Sequence, residues 1–120
     1  MDLRECYVSF GGDYDEVLGR LQREQTVRKF VVKFLDDKSF RMLEESIGNE
    51  DYDEALRAVH TLKGICQNLS FVRLYESSSL MTKAFKEGEH KNAVAMMPQL
   101  SDIYHQMIHT IQEYIQSEEK

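Results

Sequence analysis

Residues 51–69 read DYDEALRAVHTLKGICQNL, from Asp51 to Leu69, and the spacing of their apolar side chains decides the fold. On a helical wheel of about 100° per residue, Ala55, Val59, Leu62, Cys66 and Leu69 fall within about 50° of one direction. That clustering predicts one amphipathic helix with a buried stripe. Asp51 and Glu54 stand in capping-box relation and set its start: the first accepts from free backbone N–H groups and the second reaches back. His60 points about 140° to 150° away from the stripe and therefore toward solvent. Asp53, Leu56, Lys63, Gly64 and Gln67 share its face, within about 60° of it.

The same threefold and fourfold spacing extends in both directions. Residues 26–47 carry Val27, Phe30, Val31, Phe34, Leu35, Phe40, Leu43 and Ile47, with an interruption near Asp36-Asp37-Lys38 and a stop at Gly48. Before them, Asp13 caps a short first helix through Val17, Leu18 and Leu21, and Gly11 and Gly12 mark the preceding loop. After residue 69, Ser70 is placed to cap a helix holding Leu74, Leu80, Met81, Ala84 and Phe85, which Gly88 ends. A final helix from about residue 91 holds Ala93, Val94, Met97, Leu100, Ile103, Tyr104, Met107, Ile111 and Tyr114. Pro98 within it predicts a kink or a late helix start. Long helices joined by short turns predict an all-α, antiparallel up-down-up-down four-helix bundle with a short N-terminal capping helix. The expected organisation is a single domain over residues 1–120, with residues 1–10 as an N-terminal extension and the bundle at about 13–117.

Composition removes several function classes. With 42% hydrophobic residues and no apolar run near the length of a bilayer span, the chain is expected to be soluble, with no membrane contact. Residues 1–5, Met-Asp-Leu-Arg-Glu, lack the basic flank and apolar block of a secretory signal, so a cytoplasmic location is expected. The net charge of −6, without a basic stripe, argues against nucleic acid as a partner. Cys6 and Cys66 lie far apart with no CxxC spacing, which suggests neither a zinc site nor a disulfide framework; Cys66 reads as core.

The His60 face holds residues chosen against local stability. Glycine inside a helix is about 1 kcal/mol worse than alanine, yet Gly64 sits mid-helix one turn after His60, where it clears space above the imidazole. Lys63 can lay an ammonium beside whatever the ring carries, balancing a phosphoryl group of about −1.5 to −2 charges. Leu56, one turn before, is an apolar side chain on an exposed face and could anchor a docked protein. Imidazoles, with an ordinary pKa of about 6.5, offer a nucleophilic nitrogen at neutral pH without help from a base. On the residues alone, an ordinary surface histidine, a solubilising lysine and a tolerated glycine account for the same pattern.

Ala58-Val59-His60-Thr61-Leu62-Lys63-Gly64, followed by Asn68-Leu69, closely resembles the signature of histidine-containing phosphotransfer domains. The likeness extends to the layout of the bundle, over roughly residues 10–117. It implies that His60 is the phosphoacceptor, that Lys63 stabilises the phosphoryl group and that Gly64 leaves room for a receiver's active site. It implies docking around Leu56, Asp53, Gln67 and Asn68, and partners that are a hybrid histidine kinase and response-regulator receiver domains. The implied protein is a monomeric relay carrier and not an enzyme. It has no cofactor of its own, and Mg²⁺ comes with the receiver. Two positions depart from the pattern: Gln67 stands where a small residue is usual, and Ser70 replaces a glycine common at this helix end.

Other chemistry has less support. No GxGxxG or GxxxxGK[ST] sequence could cradle ATP, so autophosphorylation from ATP is not expected. His105 and His109, four apart, could form half of a metal site, but no glutamate stands between them in the catalytic arrangement and no third ligand follows. They and His90 read as polar positions, and the six methionines as core filling. The rival expectations are a pure interaction module that binds a receiver through the His60 face without phosphorylation, and a metal-binding bundle.

Overall fold

In the computed structural model, which describes residues 1–119, the apolar periodicity becomes eight helices among the described residues. They are α1 (Leu3–Phe10), α2 (Tyr14–Leu21), α3 (Glu24–Phe34), α4 (Ser39–Gly48), α5 (Tyr52–Leu69), α6 (Val72–Lys86), α7 (His90–Ala95) and α8 (Met97–Glu118). The chain is an all-α bundle, with no strand among the described residues. Tyr52 at the start of α5 stacks on Phe85 at the end of α6, with ring centroids 6.1 Å apart, so these two helices run antiparallel. Phe40 of α4 and Tyr104 of α8 stack at 4.0 Å and 6°, closing α4, α5, α6 and α8 around one core.

α5 buries Ala55, Val59, Leu62, Cys66 and Leu69, the predicted stripe, together with Ala58. Its start is simpler than a capping box. The Asp51 carboxylate accepts the Glu54 N–H at 3.2 Å, but the Glu54 carboxylate pairs with Arg57 instead of reaching back. A guanidinium within one turn is a stronger partner for that carboxylate than a neutral amide.

The long segment before α5 breaks where the acidic run suggested. The chain leaves the helix over residues 35–38, and the Asp37 carboxylate accepts the Ser39 N–H at 2.9 Å as α4 begins. The break leaves Val27, Val31 and Phe34 as the inward face of α3, and Phe30, expected in the stripe, is 37% exposed. Pro98 lies in the first turn of α8, where its missing N–H has no helical acceptor to lose, so the helix starts late instead of kinking. Leu80, also expected inside, is 60% exposed and lines a shallow groove with Met96 and Ile103.

Within residues 1–10, read as an extension, Leu3–Phe10 form α1, packed against α8. Asp2 and Glu5 form a full capping box, and Leu3, Cys6, Tyr7 and Phe10 are all buried. Phe71 gathers Tyr7, Phe10 and Phe34 around itself with ring centroids 5.1 to 5.7 Å away. The following loop needs its glycines. Gly11 turns left-handed at φ 73°, and a Cβ on Gly12 would come within 2.6 Å of the Tyr7 ring and 2.9 Å of the Ser70 carbonyl oxygen.

Ser70 is not the cap of α6. It ends α5 in the left-handed conformation, at φ 56°, and α6 begins at Val72 after Phe71. The serine occupies the backbone state that a glycine at a helix C-terminus ordinarily supplies.

Candidate functional site

His60 sits near the middle of α5, opposite the buried stripe, and its side chain is exposed. The helix rises from a capped start and is held on its inner face by fully buried Val59 and Leu62, so the ring stands on a packed support. Thr61 beside it turns its hydroxyl back to the Arg57 carbonyl at 3.0 Å and adds no group to the His60 face.

Lys63 is half-buried, three residues on. The ion pairs among the described residues are Arg4–Asp15, Arg20–Glu16, Arg28–Glu118, Arg41–Glu45, Arg57–Glu54 and His109–Glu113, and none uses a lysine. Among the described residues the Lys63 ammonium is thus in no ion pair, one turn from His60 along α5. A Cβ built on Gly64 would meet nothing within 4 Å, so nothing inside the chain calls for glycine there. Asp53, Gln67 and Asn68 are exposed. Leu56 is half-buried and packs against the core, so only part of its side chain is offered to a partner.

Beyond Gln67 the structure places groups that the sequence reading did not single out. Arg20 of α2 donates to the Asn68 carbonyl at 2.7 Å, to the Gln67 carbonyl at 3.2 Å and to the Ser70 hydroxyl at 3.1 Å. The Ser70 hydroxyl in turn donates to Glu16 at 2.6 Å. That hydrogen bond, and then the Arg20 guanidinium, hold the Glu16 carboxyl below the usual carboxylate range. The available signal was the Glu16–Arg20 pair at i, i+4, but spacing along α2 says nothing about the end of α5.

The remaining histidines are separately occupied. His105 Nδ1 lies 2.8 Å from the Ser101 carbonyl, His109 Nε2 lies 2.8 Å from Glu113, and His90 packs on Tyr52 with ring centroids 4.5 Å apart. Among the described residues, no group of three or more His, Cys, Asp or Glu side chains could hold a metal ion. Both thiols are buried; burial pushes Cys6 up to about 12 and Cys66 higher still.

The fold is an all-α bundle whose α5 carries an exposed histidine together with a lysine and a glycine on one face. The chain matches the Hpt domain over residues 30–114 and belongs to that family, the histidine-containing phosphotransfer domains. Members take part in phosphotransfer in two-component phosphorelays, engage receiver domains and carry no kinase catalytic domain of their own. Comparison with curated proteins and with solved structures finds no match. No helix among the described residues is long and apolar enough to cross a membrane.

Proposed function

We propose that the chain is a cytoplasmic, monomeric phosphoryl carrier whose phosphoacceptor is His60, loaded by the receiver domain of a hybrid histidine kinase and discharged to a response regulator. A ring-nitrogen lone pair of His60 attacks the phosphorus of the receiver's aspartyl phosphate. The N–P bond forms, the aspartyl O–P bond breaks, and aspartate leaves as its carboxylate. Discharge is the reverse reaction with a second receiver. Such a transfer needs alignment and charge neutralisation more than acid or base groups from this chain. Lys63 supplies positive charge beside the phosphoryl group, Gly64 leaves clearance for the receiver, and Mg²⁺ belongs to the receiver. Leu56, Asp53, Gln67 and Asn68 form the docking surface around the ring.

The observation that carries this reading is the conjunction on one face of α5 of an exposed His60, a Lys63 that is in no ion pair among the described residues and a Gly64 with open space above it. The test is to incubate the chain with a phosphorylated receiver domain. The expected product is label on the chain that is lost in acid and kept in base, as a phosphoramidate requires. Label that survives acid, or none with any receiver tried, counts against it.

A further inference from the structure

A helix leaves its last carbonyls without partners of its own, and here they belong to the helix that carries His60. The first two are served locally: the Phe71 N–H donates to the Cys66 carbonyl at 2.9 Å and the Ser70 N–H to the Gln67 carbonyl at 3.4 Å. The next three are taken up by residues from the first 20 of the chain. Arg20 donates to Asn68 at 2.7 Å, the Tyr7 hydroxyl to Leu69 at 2.8 Å and the Asp13 N–H to Ser70 at 2.9 Å. The loop between α1 and α2 also fastens the other side of the corner, where the Gly11 carbonyl accepts the Arg73 N–H at 3.0 Å.

These donors precede residue 30, where the family match begins. Arg20 is the one among them that brings charge. A cation at a helix C-terminus faces the negative end of the helix dipole, and here one guanidinium nitrogen, Nη1, sits among the Gln67 and Asn68 carbonyls and the Ser70 hydroxyl while Nη2 pairs with Glu16. Gln67 lies two turns beyond His60 on the same face, about 10 Å along the axis at about 1.5 Å per residue. A docked protein covers about 800 Å² of its partner, so a footprint centred on His60 includes the last turn of α5.

We propose that Arg20 is a positioning residue for phosphotransfer: it clamps the last turn of α5 and holds Gln67 and Asn68 in place for a docking receiver, without touching the reacting atoms. The inference rests on the phosphotransfer reading above. Docking to a frayed helix end pays the ordering entropy on binding, whereas the transfer step at His60, two turns away, is the same once the complex has formed.

The intact chain carrying Arg20→Ala or Arg20→Lys is to be compared with wild type in steady-state transfer from a phosphorylated receiver domain. Arg20→Ala should raise KM about fivefold, equivalent to about 1 kcal/mol at about 1.4 kcal/mol per tenfold, and leave kcat within about twofold. Arg20→Lys should recover part of the loss, because an ammonium can donate to these carbonyls but has no second nitrogen to stay paired with Glu16. An unchanged KM, or a fall in kcat at constant KM, overturns the inference. If wild type accepts no phosphoryl group, the phosphotransfer reading is what fails, and amide hydrogen exchange tests the clamp alone. Exchange at Ser70 and Phe71 should then speed up in Arg20→Ala while residues 58–62 stay protected, and equal protection in both proteins overturns the clamp. Should Arg20→Ala not fold, Arg20→Lys decides: a KM above wild type supports the clamp and a KM equal to it does not.

Discussion

Gly64 lies one turn beyond His60 on the same face of α5, and a methyl group on its Cα would meet nothing beyond the backbone of its own helix within 4 Å. Stability and transfer therefore make opposite demands on this position. Gly64→Ala should stabilise the fold by about 1 kcal/mol, because alanine restricts the unfolded chain and suits a helix interior. A rise in Tm of about 4 °C is expected from that value. Transfer from a phosphorylated receiver should slow in the same variant, since the methyl occupies space that the partner needs. Thermal unfolding and a transfer assay on one preparation check both signs, and a variant that is stabilised and transfers at the wild-type rate removes the steric role.

Ser70 sets a backbone conformation against side-chain hydrogen bonds. At φ 56° the residue pays a left-handed penalty that glycine escapes, but its hydroxyl is shared between Glu16 and Arg20. Ser70→Ala keeps the penalty and loses the bonds, and should destabilise by about 1 to 2 kcal/mol. Ser70→Gly loses the same bonds and relieves the penalty, so it should lie within about 1 kcal/mol of wild type. Urea unfolding of the two variants checks the order, and an alanine variant as stable as the glycine variant contradicts it.

The thiols give the protein an alkaline limit. Cys6 is pushed up to about 12 and Cys66 is raised further, both by burial. Unfolded cysteines release their protons near pH 8.5, so above that pH the folded state binds more protons than the unfolded one and stability falls as pH rises. Below it both states keep the thiol protons and no slope arises. The urea midpoint should drop between about pH 8.5 and 9.5, and Cys6→Ala should flatten that drop. A midpoint that is level or rising over this window is incompatible with buried, neutral thiols.

Much of the fold was legible because helical periodicity reports burial directly. The stripe from Ala55 to Leu69 is buried as read, the interruption at residues 35–38 follows its acidic run, and Pro98 begins a helix instead of bending one. Leu3, Cys6, Tyr7 and Phe10 carried the same signal, with an Asp2–Glu5 capping pattern in front, but the segment is a single short helix that gains its stability only from α8 and the aromatic side chains beneath it. Ser70 was misread because serine is both a common N-cap and, with side-chain partners, able to take a left-handed C-cap; the partners are Glu16 and Arg20, 54 and 50 residues away in sequence. At the candidate site, the exposure of His60 and the open space at Gly64 follow from the wheel alone. The Arg20 clamp did not, since a long-range contact to backbone carbonyls leaves no periodic trace.

The most direct test of the central claim replaces the ring. His60→Gln on an exposed helical face should unfold at nearly the wild-type temperature, within about 0.5 kcal/mol of stability, while the other histidines, His90, His105 and His109, remain. Incubated with a phosphorylated receiver domain under conditions that label the wild type, this variant is predicted to take up no acid-labile phosphoryl group. Labelling of the His60→Gln protein to the wild-type extent would contradict the account.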